Sequence, residues 1–153
     1  MKPKFNDNYK GLKCRVYLVR EGDTNEVINL NNPSDVYNLV KDDLANSDRE
    51  ILLSVMLNVK NQLIGVETVS IGSIYATTML PRDVFKSAIL ANAVGIILCH
   101  NHPSGELNPS NEDIHHTKLI TDAGKLLGIK VLDHIIVSNK GFYSLTDHCE
   151  IKV

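Results

Sequence analysis

The stretch GIILCHNHPSGELNPSNED, residues 95–113, decides how this chain folds. It opens with a short apolar run, which is typical of a strand buried in the middle of a sheet. His100 and His102 end that run, and residues i and i+2 of an extended segment point to the same side. Pro103 then breaks the strand, and the chain reaches Ser110, a favourable residue for capping a helix. The stretch therefore predicts a strand end, a loop and a helix start, with two imidazoles directed at one point.

Asp113 follows the predicted cap by three residues, where its carboxylate can turn back towards the two histidines. Two neutral imidazole nitrogens and one carboxylate, with a fourth position left to water, form the ligand set of catalytic zinc sites. Other divalent metals accept the same ligands, so zinc (Zn2+, one per chain) is the favoured rather than the required ion. The alternative is that Ser-x-x-Asp serves only as a helix cap. The full pattern H-x-H-P-x6-S-x2-D has a chance on the order of 10⁻⁷ per position, which favours a metal site.

A hydrolytic metal site also needs a base that accepts a proton from bound water. Glu67 is the candidate, because it lies within the otherwise apolar predicted strand LIGVETVSI, where a carboxylate without a partner is unfavourable. The alternative puts Glu67 on the exposed face of an edge strand. Ser110 is a second candidate catalytic residue, since its hydroxyl could donate a hydrogen bond to an oxyanion that forms at the metal.

The rest of the chain alternates strand and helix patterns with turn residues between them. Ser34 is predicted to cap the first helix, and Pro81 is predicted as the first residue of the second. Gly128 is expected to end the third helix, which Ser110 begins. This order predicts one α/β (α+β) domain, with a central mixed β-sheet flanked by helices, over residues 34–153, after a tail and strand in residues 1–33. The predicted strands are residues 13–19, 51–59, 63–71, 95–99, 130–137 and 142–145.

Composition and charge narrow the class of protein. The chain has 153 residues, 43% hydrophobic and 22% charged, which suits one soluble domain with its own core. No apolar run is long enough to span a bilayer, and the N-terminus MKPKFNDNYKG lacks the apolar centre of a signal peptide. Cys14, Cys99 and Cys149 are an odd, widely spaced set, which predicts free thiols and a cytoplasmic protein. The net charge of −2 argues against strong electrostatic binding of DNA, which would then need a local basic patch.

The segments HNHPSG, PSNED and LLGIKVLDHIIVSNKGFYSL closely resemble the RadC family, a bacterial branch of the JAB/MPN domains that carry the JAMM metalloprotease motif. The resemblance covers residues 34–148 and implies a single JAB/MPN-like domain with a cytidine-deaminase-like layered fold. It also implies that Glu67 is the general acid/base, acting through bound water, and that Ser110 helps to stabilise the tetrahedral intermediate. The zinc ligands that it implies are His100, His102 and Asp113.

The function implied by this resemblance is a zinc-dependent hydrolase. Active members of the superfamily cleave peptide or isopeptide bonds, often next to ubiquitin-like modifiers, so the expected partner is a peptide or protein substrate. Longer RadC relatives carry an N-terminal helix-hairpin-helix region associated with DNA, whereas residues 1–33 here offer a short tail and one predicted strand. The alternative functions are a RadC-type DNA-repair or mobile-element protein that binds or acts on DNA, and a non-catalytic scaffold. The sequence leaves the physiological substrate and the oligomeric state open.

Four residues near the motif receive less specific interpretations. His115 and His116 are predicted to be exposed on the long helix, although His116 follows Asp113 by one turn and could support it. His134 lies on the strand after that helix, where it would either orient a ligand histidine or make a structural hydrogen bond. Cys99 precedes His100 on a strand and should therefore point to the opposite side, into the core.

Overall fold

Three helices and five strands make up the described part of this computed structural model, which comprises residues 16–19, 21–22, 26–72 and 79–148. The predicted mixed α/β (α+β) architecture, with a central mixed sheet between helices, is confirmed. In chain order the elements are α1 (Pro33–Leu44), β1 (Ile51–Leu57), β2 (Leu63–Ile71), α2 (Pro81–Leu90), β3 (Gly95–Asn101), α3 (Asn111–Leu127), β4 (Lys130–Ser138) and β5 (Gly141–Ser144).

The cap of helix α1 differs from the prediction, because Asn32 and not Ser34 precedes the first helical residue. The Asn32 side chain accepts a hydrogen bond from the Asp35 backbone N–H at 3.0 Å, and the Asp35 carboxylate accepts one from the Asn32 N–H at 3.3 Å. Pro33 takes the first helical position, since it has no N–H to leave unpaired there and its φ angle suits a helix. Ser34 therefore lies inside the first turn.

Helix α3 begins and ends at the residues that the sequence predicts. Ser110 is its N-cap, with an extended backbone, and its hydroxyl oxygen accepts a hydrogen bond from the Asp113 backbone N–H at 3.1 Å. Gly128 is its C-cap, with a φ of 71°, which glycine adopts without the clash of a Cβ atom. Pro81 likewise begins α2 as predicted. Local signals thus fix the helix that carries Asp113.

The five strands form one sheet in the order β2-β1-β3-β4-β5. Strand β1 runs antiparallel to both β2 and β3, and β4 runs antiparallel to β5. Strands β3 and β4 are parallel, which requires a long crossover connection, and α3 with the loop before it provides this connection. The central strand β3 is buried along its whole length, so the chain emerges from the core only after Asn101.

Helices cover both faces of the sheet. Helix α1 packs over an apolar cluster that includes Val36, Leu53 and Cys99, whereas α2 and α3 cover a second cluster that includes Phe85 and Leu98. Cys99 therefore points into the core below α1, as predicted, and burial raises the pKa of its thiol. His100, the next residue on β3, points to the opposite face, below α2 and α3.

Helix α3 lies in close contact with α2 and with the start of β4 at Gly124. A Cβ atom added there would lie 2.5 Å from the Ile129 carbonyl oxygen and 3.1 Å from the ring of Phe85. The Ile129 N–H also donates a hydrogen bond to the Gly124 carbonyl at 3.0 Å, in the turn that leads into β4. Because the first distance is to backbone, a side chain at this position would force α3 away from the start of β4.

The strand predicted over residues 13–19 is not found in its described part, and residues 13–15 lie outside the described residues. Residues 16–19 have an irregular backbone, and the side chains of Val16, Tyr17 and Val19 are 71%, 69% and 80% exposed. Cys14 and Cys149 also fall outside the described residues. Within the described ranges, no helix is both long enough and apolar enough to cross a membrane.

Candidate metal centre

His100, His102 and Asp113 come together at the end of β3, where α3 begins. The Nε2 atoms of His100 and His102 are 2.9 Å apart. His100 Nε2 lies 3.3 Å from Asp113 Oδ1, and His102 Nε2 lies 3.4 Å from Asp113 Oδ2. All three potential ligand atoms fall within 4.8 Å of one another, and His100 and Asp113 are buried. The three residues predicted as metal ligands therefore form one cluster.

The orientation of His102 is set by the loop that follows it. Its Nδ1 lies 2.9 Å from the Glu106 carbonyl oxygen, which can only accept, so Nδ1 carries the proton that it donates. In the neutral ring, Nε2 is then the nitrogen with the free lone pair, and it faces Asp113. Hydrogen bonding to Asp113 raises the pKa of His102 above its usual range, and burial opposes this effect only in part.

Asp113 has two roles at once, because its carboxylate both caps helix α3 and faces the histidines. Its Oδ2 accepts hydrogen bonds from the backbone N–H of Ser110 at 2.8 Å and from the Ser110 hydroxyl at 2.7 Å. Burial by itself would raise the pKa of this carboxyl, but His100 and His102, when their Nε2 atoms are protonated, and the hydrogen bonds from Ser110 lower it far below its usual range. Asp113 is therefore an anion at any physiological pH, as a metal ligand must be.

His100 is held from behind by a second histidine. Its Nδ1 lies 2.7 Å from His134 Nε2, and His134 Nδ1 lies 2.6 Å from the Thr117 hydroxyl oxygen. His134 is fully buried, and burial lowers its pKa well below the usual range, so this ring is neutral. The contact leaves His100 Nε2 as the nitrogen that faces the cluster.

The donor chemistry of the cluster fits a metal ion. Two imidazole nitrogens and a carboxylate face one another within hydrogen-bonding distance, and His102 at least presents a lone pair when it is neutral. Such a group is stable only with a cation, either a proton or a metal, between its members. Two histidines and one carboxylate suit zinc with an open fourth position, and they also suit other divalent transition metals.

Glu67 does not belong to this cluster, but it lies on the same face of the sheet. It pairs with Ser54 of β1, which in turn pairs with Leu98 of β3. Directly paired residues share a face, and Leu98 and His100 are two residues apart, so Glu67 and His100 point to the same side. Strand β2 is an edge strand, yet Glu67 is half-buried. Its Oε2 is shielded from solvent and has no hydrogen-bond partner among the described residues.

The exposed-face alternative for Glu67 is therefore wrong, since its neighbours Val66 and Thr68 take the exposed positions. The role of Glu67 as a base stays a prediction. The same is true of Ser110 as an oxyanion donor, because its hydroxyl proton is given to Asp113 Oδ2 in this structure. Ser110 would have to turn that proton from Asp113 towards a substrate.

Sequence reasoning missed Thr117, and it left His134 undecided. Thr117 follows Asp113 by one helical turn, and that spacing is the signal that could have drawn attention to it. In the pair Asp133-His134, His134 contacts the cluster, whereas Asp133 accepts structural hydrogen bonds from Ser144 and Thr146. His116, predicted to be exposed, is half-buried, because it lies at the border of the buried face of α3.

A family model described as the RadC-like JAB domain matches residues 30–150. The chain belongs to this family. The match includes β1–β5, all three helices, and each of the residues proposed for the site. The resemblance to RadC proteins that the sequence motifs suggested is thus confirmed.

Curated relatives of this RadC-like JAB domain carry the name UPF0758 protein. One from Caldanaerobacter subterraneus subsp. tengcongensis is 44% identical over 137 residues, which cover 84% of this chain and 58% of the relative. One from Desulforamulus reducens is 50% identical over 113 residues, which cover 74% of this chain and 50% of the relative. One from Methanosarcina mazei is 42% identical over 123 residues, which cover 80% of this chain and 54% of the relative. The chain therefore spans about half the length of these relatives.

Proposed function

We propose that this RadC-like JAB domain is a zinc-dependent hydrolase that cleaves a peptide or isopeptide bond. The observation that carries the proposal is the cluster itself, in which His100 Nε2, His102 Nε2 and the Asp113 carboxylate face one another at 2.9–3.4 Å. A helix cap alone would need only Ser110 and Asp113, and it would give no reason for two imidazoles to meet the same carboxylate.

The residues would hold the ion and handle protons as follows. A zinc ion bound by His100, His102 and Asp113 would supply a Lewis acid that lowers the pKa of a coordinated water towards neutrality. Glu67 would accept the proton from that water and return it to the leaving nitrogen, and its Oε2, which lacks a described hydrogen-bond partner, is available for this. Ser110 would donate a hydrogen bond to the oxyanion.

The substrate class rests on the family and on charge. JAB-domain hydrolases cleave amide bonds, so a peptide or a protein, including one joined to a ubiquitin-like modifier, is the proposed substrate. The RadC-type alternative, in which DNA is bound or processed, is less well supported because the net charge of −2 gives little attraction for phosphates.

The first experiment is elemental analysis of purified wild-type protein beside the Asp113→Ala variant, before and after zinc is offered to metal-free protein. We expect about one zinc per chain in the wild type and none in the variant. Far-ultraviolet circular dichroism of both proteins shows whether the fold survives. If folded wild-type protein takes up no zinc, the hydrolase proposal is wrong.

The second experiment tests hydrolysis with zinc-loaded wild type and Glu67→Gln. A proteome-derived peptide mixture and an isopeptide-linked ubiquitin dimer serve as probes, and mass spectrometry detects new termini. We expect Glu67→Gln to keep its zinc and to lose about 10²- to 10⁴-fold in turnover, the usual contribution of a general base. A duplex DNA is incubated in parallel, and its cleavage with neither amide probe cut would favour the RadC-type alternative instead.

A further inference from the structure

A buried chain of hydrogen bonds runs behind the metal cluster. It begins at His100 Nδ1, passes through both ring nitrogens of His134, and reaches the Thr117 hydroxyl over distances of 2.7 and 2.6 Å. The Thr117 hydroxyl in turn lies 2.5 Å from the Asp113 backbone carbonyl oxygen. The side chains that make these hydrogen bonds come from β3, β4 and α3. His100, Thr117 and His134 are all fully buried.

The donor and acceptor in each of these hydrogen bonds follow from the last acceptor, the Asp113 carbonyl oxygen. A carbonyl oxygen can only accept, so the one hydroxyl proton of Thr117 points to Asp113. Thr117 must then accept from His134, whose Nδ1 carries a proton. In a neutral ring the other nitrogen has a lone pair, so His134 Nε2 accepts a proton from His100 Nδ1. His100 is thereby left with a lone pair on Nε2, the atom that faces His102 and Asp113.

We propose that His134 and Thr117 are positioning residues that hold His100 in the tautomer and ring orientation needed to bind a metal. The inference deepens the proposed function, since it concerns the same ligands. Histidine ligands of metals commonly donate their second nitrogen to a carboxylate, a carbonyl or water. Here the acceptor is a second imidazole, and a threonine hydroxyl fixes the tautomer of that imidazole.

The series of hydrogen bonds also returns to the metal cluster, because its last acceptor is the backbone carbonyl oxygen of Asp113, a proposed metal ligand. Asp113 presents its carboxylate to His100 at 3.3 Å and its backbone carbonyl to Thr117 at 2.5 Å. These contacts thus form a closed path through His100, His134, Thr117 and Asp113, in which three links are hydrogen bonds and the fourth is the approach of His100 Nε2 to Asp113 Oδ1. A shift of α3 relative to β3 would break this path, so the path holds two ligands from different elements in register.

The test replaces His134 and measures metal binding directly. His134→Leu removes the acceptor for His100, and we expect zinc affinity to fall about 10- to 100-fold, as it does when outer partners of ligand histidines are lost. His134→Gln offers an amide oxygen to His100 and should recover part of the affinity. Zinc affinity is measured by competition with a chromophoric chelator. The visible spectrum of the cobalt-substituted protein reports whether ligand geometry changes.

Two threonines on α3 provide a matched pair. Thr117 and Thr121 are both buried, are one turn apart, and each donate to the carbonyl oxygen four residues earlier. Among the described hydrogen bonds, Thr117 pairs with a histidine ring, at His134 Nδ1, and Thr121 does not. Thr117→Val should therefore weaken zinc binding about tenfold and alter the cobalt spectrum, whereas Thr121→Val should change neither. Thr117→Ser keeps the hydroxyl and should restore binding.

The inference is wrong if folded His134→Leu binds zinc within about twofold of wild type with an unchanged cobalt spectrum. If His134→Leu does not fold, equal zinc affinities of Thr117→Val and Thr121→Val overturn it instead. Nitrogen NMR of metal-free wild type adds a check that needs no metal, because it must find the His134 proton on Nδ1. A protein that binds no zinc but shows this tautomer would refute the proposed function and leave the hydrogen-bond assignment intact.

Discussion

Replacing Asp113 by asparagine keeps the size of the side chain but removes its charge, and this separates the proposed ligand role from the capping role. The carboxylate lies within 3.4 Å of both imidazoles and accepts two hydrogen bonds from Ser110 on Oδ2. Loss of an outer partner alone typically weakens metal binding 10- to 100-fold, so loss of a direct anionic ligand should weaken zinc binding by more than about 100-fold.

The same change should lower the stability of metal-free protein only modestly. A hydrogen bond to a charged group contributes about 1.5–3 kcal/mol, against about 0.5–1.5 kcal/mol for a neutral pair. The bond from the Ser110 hydroxyl should therefore lose about 1–2 kcal/mol, while the amide oxygen of asparagine can still accept from the Ser110 backbone N–H. In a chain of this length each kcal/mol corresponds to about 2–4 °C in Tm, so we expect Tm to fall by about 2–8 °C.

The assay is a zinc titration against a chromophoric chelator, followed by thermal unfolding of chelator-treated protein. Asp122→Asn is the matched control, because Asp122 lies on the same helix, is 74% exposed and pairs only with Lys125, at 3.1 Å, among the described residues. The control should bind zinc like wild type. If Asp113→Asn also binds zinc within about twofold of wild type, the carboxylate is not a ligand and the assigned centre is refuted.

Three further predictions concern pH and packing. Zinc affinity should fall as the pH drops, beginning above about 6.5, because Asp113 raises the pKa of His102 and a protonated His102 cannot bind; titrations at pH 8, 7 and 6 check this. Since burial lowers the pKa of His134, its contribution to metal-free stability is present above about pH 6.5 and is lost as the pH falls below that value. Urea unfolding at pH 7.5 and 5.5 checks this. Between these values the free energy of unfolding should fall more in wild type than in His134→Gln, by up to about 1.4 kcal/mol per pH unit. Gly124→Ala should destabilise the protein by about 1–3 kcal/mol, because its Cβ would lie 2.5 Å from the Ile129 carbonyl oxygen. This loss should outweigh the better helix propensity of alanine, and an unchanged urea midpoint would contradict it.

Those features that depend on neighbouring residues could be predicted from the sequence. The start of α2 is set by Pro81, and the ends of α3 are set by Ser110 and Gly128. Each of these residues acts through its backbone preference within one turn of the helix. The convergence of His100 and His102 follows from the two-residue period of a strand. Even here a local signal can mislead, because Ser34 is the predicted cap of α1 and Asn32 is the observed one. Pro33 lies between them and suits the first helical position, which places the cap at Asn32.

Features that depend on pairing between distant strands could not be predicted from the sequence. The face occupied by Glu67 follows from its register with Ser54 across the β1–β2 pair, which alternation along β2 alone does not specify. The contact between His134 and Thr117 joins β4 to α3, and only the packed structure brings the two side chains to 2.6 Å. Nor does alternation along residues 16–19 reveal that these residues pair with no strand in the described part of the chain.

The start of helix α3 is secured without any metal, because Ser110 and Asp113 satisfy each other's backbone N–H groups. The apolar clusters on both faces of the sheet likewise do not depend on the histidines. A duplicated copy of such a gene could therefore lose His102 to mutation and still encode a folded domain. The architecture thus allows one substitution to remove a proposed metal ligand from a domain of this family, while the outward shape of the domain is retained.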